Sequence, residues 1–385
     1  MRVALVGTRG VPARYGGFET CVEEVGARLA SRGHEVTAYC RRGVADDGPL
    51  LPEHRGMRLV HLPAVHRRAL ETLSHSAASV AHLLPRGTDA AVVFNSANAP
   101  LLPVLRARGI PVATHVDGLE WKRAKWGGAG RRYYRSAESM AVRWSDALIA
   151  DAQGISDYYA AEFGAATELI AYGAPDVAER RPEVVASLGL RSRGYHLVVA
   201  RFEPENNVEL IVRGYVASGA SEPLVVVGCA PYADAYTARV HAAADERVVF
   251  LGGVWDQEVL DQLYANALTY LHGHSVGGTN PSLLRAMGAG AATLAYDVGF
   301  NREVLRGAGR FFADAAELSA LLEEAEACPE GVVRSGRASL VEARRYDWDD
   351  VADAYEDLCE RLAARRRSAR PSGRRAPHLV GASAP

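Results

Sequence analysis

The feature that most constrains this chain is a pattern that runs once and then starts again. Residues 3–6 (VALV) form a short apolar run that leads into a glycine-rich loop from Gly7 to Gly17. Val22, Val25 and Leu29 then recur at helical spacing. A short apolar run bounded by turn residues is how a strand buried on both faces reads, and such strands belong to parallel sheets. Gly33 closes the helix and residues 36–39 supply a second strand. Further strands are predicted at 59–62, 91–94, 111–114 and 147–150, with helical sequence between them. The series begins afresh at 195–200 and continues through 224–228, 248–251, 269–271 and 293–296. Alternating strands and helices predict a doubly wound α/β layering. Two such series predict two Rossmann-like domains, 1–175 and 176–345, facing each other across a cleft and followed by a closing helix at 346–364.

Composition removes other classes. The chain's 385 residues are 48% hydrophobic and 23% charged, which excludes a mostly disordered, collagen-like or disulfide-scaffold protein. Lys+Arg number 44 and Asp+Glu 46, a net charge of −2. Seven arginines lie from Arg361 onward with no Asp or Glu, so the rest holds 37 basic against 46 acidic residues, or −9. An acidic body with a short basic tail does not suit a nucleic-acid partner. The tail, 365–385, is rich in Arg, Ser, Pro and Gly and is expected to be disordered. A solvated end is the favoured reading, and attraction to an anionic membrane surface is the alternative. Five scattered cysteines without a Cys-x-x-Cys pair fit a reducing compartment. The opening apolar run is too short for a signal peptide, and no run of about 18 apolar residues occurs. A cytoplasmic setting is expected, with peripheral contact at the inner membrane face as a secondary expectation.

Four segments carry candidate chemistry. In the first, Gly16 and Gly17 stand between the opening strand and its helix, where backbone N–H groups and the helix end meet an anion. The spacing matches neither the dinucleotide fingerprint nor the Walker A loop. An ordinary glycine-rich turn reads equally well. In the second, Arg201 follows the first strand of the second series, at the end where such folds take ligands. A guanidinium there suits a diphosphate, and pairing with Glu203 or Glu205 is the plainer alternative.

In the third, residues 272–287 read HGHSVGGTNPSLLRAM. Asn280 is a good helix cap and Pro281 a good first helical residue. Gly277, Gly278 and Thr279 thus lead into a helix start that presents donors to an anion. His272 and His274 share one face of a strand with no carboxylate cluster beside them, so no metal is expected. In the fourth, His115, Asp117 and Glu120 follow a strand end in the first half. These types orient or deprotonate a hydroxyl, although a polar loop around a satisfied histidine looks the same. Asp347 and Asp349 match a metal pair only by spelling, since Asp is a normal cap before the final helix.

Together these segments resemble the family 4 glycosyltransferases of the GT-B fold. The two-series layout, Gly16, Gly17, GHEV at 33–36, Arg201 and the 277–287 segment carry the resemblance. A bacterial rhamnosyltransferase-like branch is nearer still, through GTRGVPA at 7–13, HVDGLEW at 115–121 and HGHSVGGTNPS at 272–282. The resemblance spans roughly residues 1–362. It implies transfer of a sugar from a nucleotide diphosphate sugar to an acceptor hydroxyl, with retention and without a required metal or other cofactor. dTDP-rhamnose is the first candidate donor; a glycan, a lipid-linked molecule or a natural product is the acceptor. Gly16, Gly17, Arg201, Asn206, Gly277, Gly278, Thr279, Asn280, Ser282 and Arg285 are expected at the donor, His115 at the reacting face and Asp117 at the acceptor.

Two departures stand out. Family members carry a Glu-x7-Glu pair whose positions fall here on Gly277 and Arg285; the branch itself has Gly at the first. Arg285 has no acceptor for a nucleotide ribose, and is expected either at a phosphate or beside a carboxylate. The phosphate-binding Lys that usually follows the arginine falls on Asn206, so one cation is missing. A non-catalytic nucleotide-sugar-binding or partner subunit is the alternative these departures favour and the His115 and Arg201 segments oppose. A GT-B-shaped epimerase needs several acidic groups in the cleft that the sequence does not assemble, and an NAD enzyme lacks its fingerprint.

Overall fold

The computed structural model describes the chain except residues 14–15, 43–49, 66–69, 117, 124–125, 178, 230–233 and 370–385. The first sheet holds β1 (Arg2–Val6), β2 (Glu35–Arg41), β3 (Glu53–His54), β4 (Met57–Leu62), β5 (Ala90–Phe94), β6 (Val112–His115), β7 (Ala147–Ala150) and β8 (Glu168–Leu169). Their order is β3-β4-β2-β1-β5-β6-β7-β8. Among the described residues of this sheet, only β3 and β4 pair antiparallel. The second sheet holds β9 (His196–Val199), β10 (Leu224–Val227), β11 (Val248–Gly252), β12 (Thr269–His272), β13 (Ala292–Tyr296) and β14 (Arg310–Phe312), in the order β11-β10-β9-β12-β13-β14. All its pairings are parallel.

Counted within its own domain, the second sheet runs 3-2-1-4-5-6, the dinucleotide-fold order, and the first sheet repeats it with short edge strands added. The two doubly wound domains expected from the sequence are therefore present. Val3, Ala4, Leu5 and Val6 are all buried, because helices cover both faces of the sheet.

The order matters for function. In each sheet the chain leaves the first strand to one side and later returns to the other. The reversal points fall between β1 and β5 and between β9 and β12. β9 and β12 pair only through Thr269 with His196 and Tyr270 with Leu197, and part beyond them.

The final helix, Trp348–Ala369, returns to the first domain. Its Tyr355, Leu358, Cys359 and Leu362 are buried in one apolar cluster with Cys21, Val22 and Val25 of the helix Gly17–Ser31. Arg28 pairs with Asp349 at 2.7 Å, and Arg32 with Asp353 and Glu356 at 2.6 Å each. Asp347 caps the helix by accepting the Asp349 N–H at 2.6 Å, the structural role expected of it. The helix outlasts its expected end: 365–369 are helical, and Arg366 donates to the Thr88 carbonyl of the first domain. The remainder of the expected disordered tail, 370–385, lies outside the described residues.

The chain crosses between the domains twice, side by side. The Ala174 N–H donates to the Tyr346 carbonyl at 2.7 Å. A side chain on Gly173 would overlap the indole of Trp348, so glycine lets the two crossings lie in contact.

Candidate active site

Both reversal points open onto one place. A cleft of about 510 Å³ is lined from the first domain by Gly7, Thr8 and Arg9 after β1, Asn95 after β5 and Asp151 after β7. From the second domain come Arg201 and Glu203 after β9, and His274 and residues 276–281 after β12. Ligands of doubly wound sheets bind at the carboxyl ends of strands where the order reverses, and here two such places face each other.

On the second domain the helix Pro281–Gly288 starts at the cleft. The Asn280 carboxamide accepts the Ser282 N–H at 3.0 Å and the Ser282 hydroxyl at 2.7 Å. Tyr270 donates to that hydroxyl at 3.0 Å. Ser282 thus holds the cap in place, and it does not line the cleft. Gly277 lines it with a φ of +140°, a conformation that favours glycine.

The two lips touch. The Thr279 hydroxyl donates to the Asp151 carbonyl at 2.5 Å. A side chain on Gly278 would overlap the Asp151 carboxylate, and one on Gly118 would lie 2.6 Å from the Gly277 carbonyl carbon. Gly16 is the cap residue of the helix Gly17–Ser31, and a side chain on Gly17 would stand 3.1 Å from the Pro281 ring. Glycine here lets the two domains approach closely, backbone to backbone at Gly118, a use that an isolated anion-binding turn does not require.

Two ion clusters flank this contact. Glu71 lies 3.5 Å from Arg41 and 3.9 Å from Arg9, and Arg41 donates to the Thr72 hydroxyl at 3.1 Å. Glu19 accepts the Arg9 N–H at 2.8 Å. In the second cluster Arg123 lies 2.5 Å from Glu120, which also accepts the Trp126 indole N–H at 3.1 Å. Arg123 reaches Glu205 of the second domain at 3.4 Å.

Several expectations need correction. His115 is buried and does not line the cleft. Its ring stacks on Phe94 and Tyr172, with centroids at 5.4 and 5.8 Å, and meets the Phe18 ring edge-on at 5.0 Å. Burial pushes its pKa down to about 3, so it is neutral. In this conformation Phe18 and Tyr172 face the cleft and His115 stands behind them. Asn206 is buried too, and its amide donates to the Arg201 carbonyl at 2.8 Å. It fixes the loop that carries Arg201 and has no surface for a donor. Arg285 pairs with Asp261 and donates to Gln257 at 2.7 Å, both on the helix Gln257–Asn266. The carboxylate partner, one of its two expected places, is the one it takes. Asp117 lies outside the described residues.

His272 ends β12 and His274 lies just beyond it, and their rings stack at 4.5 Å. Among the described residues, no group of three or more His, Cys, Asp or Glu stands where a metal ion would be held. No described helix is long and apolar enough to cross a membrane.

Sequence reasoning missed Glu19, Arg41, Glu71, Arg123 and Asp151. Asp151 alone left a signal, since it directly follows a predicted strand, the position that drew attention to Arg201. The others gain meaning only from partners distant in the chain.

A cleft between two doubly wound domains, with an arginine and a capped helix start on one wall, is that of a GT-B glycosyltransferase. Two family models agree: the glycosyl transferase 4-like domain matches residues 16–173, and glycosyl transferases group 1 matches residues 193–328. Between them they take in most of the chain, which belongs to these glycosyltransferases. Sucrose-phosphate synthase from Thermosynechococcus elongatus is similar in structure, with a TM-score of 0.81 at 19% identity over 94% of this chain and 99% of that one. Anabaena HepE in complex with UDP-glucose gives 0.75 at 16% identity, over 94% and 100%. An α,α-trehalose-phosphate synthase (UDP-forming) from Burkholderia xenovorans, in complex with glucose-6-phosphate, gives 0.70 at 15%, over 94% and 100%. No curated protein sequence matches the chain.

Proposed function

We propose that this glycosyltransferase moves a sugar from a nucleotide diphosphate sugar, held mainly by the second domain, to a hydroxyl held mainly by the first. The observation that carries the reading is the single cleft where the carboxyl ends of both sheets meet. Arg201 and the Asn280-capped helix start form one wall, and the Glu19, Arg41 and Glu71 cluster belongs to the other. In the transfer, the bond between the anomeric carbon and the diphosphate oxygen breaks and its electron pair leaves with the diphosphate. The acceptor oxygen bonds to that carbon and gives its proton to the departing diphosphate, with retention at the anomeric carbon. Negative charge grows on the diphosphate as the bond breaks. A fixed guanidinium and a helix N-terminus already aimed there stabilise it without reorganising.

dTDP-rhamnose is the first candidate donor, on the strength of the segments at 7–13, 115–121 and 272–282. UDP-glucose stands beside it, because HepE was solved with that molecule and the Burkholderia synthase is described as UDP-forming. The acceptor is a glycan, lipid-linked or natural-product hydroxyl. The test is a thermal-shift screen over UDP-, dTDP- and GDP-sugars, each hit then followed for release of the free nucleotide diphosphate. A selective shift with release supports transfer. A shift with no release, even with acceptors added, overturns it in favour of a binding subunit.

A further inference from the structure

Among the described residues that line the cleft, Arg201 is the one arginine that the second domain supplies. Asn206 occupies the place where a lysine is expected and is spent on the Arg201 carbonyl. Arg285 turns away to Asp261 and Gln257. Among the described residues that line the cleft, the arginines are Arg9, Arg41, Arg123 and Arg201. Arg9 and Arg41 share Glu71, within the first domain. Arg123 also belongs to the first domain, yet its Nη1 donates to Glu205 Oε1 of the second at 3.4 Å. Glu205 lies in the same loop as Arg201 and is buried. Ser275 ties that loop to the segment after β12, its N–H and its hydroxyl each donating to the Glu205 carbonyl at 2.9 Å. His274 precedes Ser275 on that segment, and its pKa is held well below its ordinary value, first by burial and then by His272, Arg201 and Arg123. Arg123 and Arg201 thus both line the cleft, and Glu205 joins the first to the loop that carries the second.

We propose that Arg123 is the second diphosphate-binding cation of the donor site, delivered from the acceptor-side domain. This rests on the glycosyltransferase reading. A guanidinium stays charged at any working pH and carries five N–H groups in a fork that suits carboxylate and phosphate alike. It is able to hold Glu120 and Glu205 and still meet a phosphate oxygen. Those two carboxylates fix its side chain from both sides, so little conformational freedom remains to be lost when the donor arrives. The buried Glu205 carboxylate in turn needs a cation beside it, which the first domain brings. Docking of the domains and completion of the donor site are then one event. With the domains apart, the leaving group lacks the Arg123 charge, and the donor is not activated towards water until the cleft has closed.

The test compares nucleoside diphosphates with their monophosphates by calorimetry: UDP against UMP, and dTDP against dTMP. The wild type is expected to prefer the diphosphate. Arg123→Gln should lower diphosphate affinity about tenfold while monophosphate affinity stays within about twofold, and Arg123→Lys should recover part of the loss. Glu205→Gln leaves the cation in place but loosens its mooring, and should fall between. A diphosphate preference unchanged in Arg123→Gln, an equal loss for both nucleotides, or a wild type without preference overturns the proposal. A wild type that binds neither kind of nucleotide overturns the reading of this cleft as a UDP- or dTDP-sugar site, on which the proposal rests. Thermal unfolding of each variant checks its fold, and the lysine variant alone suffices if the glutamine variant does not fold.

Discussion

Four histidines are kept neutral by burial. His75 is pushed down to about 4, with Arg41 as the next cause, and His115 and His272 to about 3. His274 lies well below its ordinary value. Each folded-state pKa is lower than the value of about 6.5 in an unfolded chain. Below that pH the unfolded chain binds protons that the folded chain does not, so stability falls as the medium is acidified. One such group costs up to ~2 kcal/mol between pH 6.5 and 5. Thermal unfolding should therefore drop steeply from pH 7 to 5. His75 is fully buried, so His75→Leu should flatten that slope; parallel slopes for the two proteins would contradict the account. Arg285 makes a different case. Its pair with Asp261 is partly exposed and contributes at most ~1 kcal/mol. Arg285→Ala should cost no more than that in urea unfolding and leave UDP or dTDP affinity unchanged. A tenfold loss of affinity would place Arg285 at the donor after all.

At the scale of elements, one carboxylate fastens three pieces of the second domain. Glu326, in the helix Ala315–Ala327, accepts the Ser221 N–H at 2.8 Å, the Ser221 hydroxyl at 2.9 Å and the Glu222 N–H at 2.9 Å. It also meets His196 of β9 at 3.1 Å. Burial alone would raise its pKa, but these hydrogen bonds outweigh it and hold the group down at about 2. The stabilisation is present above the unfolded carboxylate's pKa and is lost as pH falls through about 2. Glu326→Gln should cost ~1.5–3 kcal/mol in urea unfolding at pH 7, with a smaller difference from wild type at pH 4. Elements were also what the sequence disclosed best. Apolar runs such as residues 3–6, 91–94 and 224–227 fit only strands covered on both faces. The helix start at Asn280 was legible because a cap is local. β3, β8 and β14 were not, since two or three residues at a sheet edge carry no period. The burial of His115 and the reach of Arg123 were hidden for another reason: they depend on Phe18, Tyr172 and Glu205, which only the fold brings near.

For the whole molecule, the closeness of the two domains depends on glycines. An alanine at Gly118 meets the Gly277 backbone, and nothing there is a flexible side-chain end that moves aside. Gly118→Ala should hold the lips apart, raising the radius of gyration in small-angle scattering and slowing diphosphate release. Gly127→Ala, with nothing within 4 Å of the added carbon, should change neither; identical behaviour of the two variants would dismiss the idea. The returning helix has a different consequence, one of timing. Cys21 lies 3.5 Å from the Tyr355 hydroxyl, its partner 334 residues further along the chain. At about 5–20 residues per second, a ribosome needs on the order of 20–70 s to make the intervening chain. Through that interval the helix Gly17–Ser31 has been made, but the residues that bury its outer face have not. The domain that leaves the ribosome first is sealed last, and chains released before residue 355 carry an uncovered apolar stripe for chaperones and proteases to find.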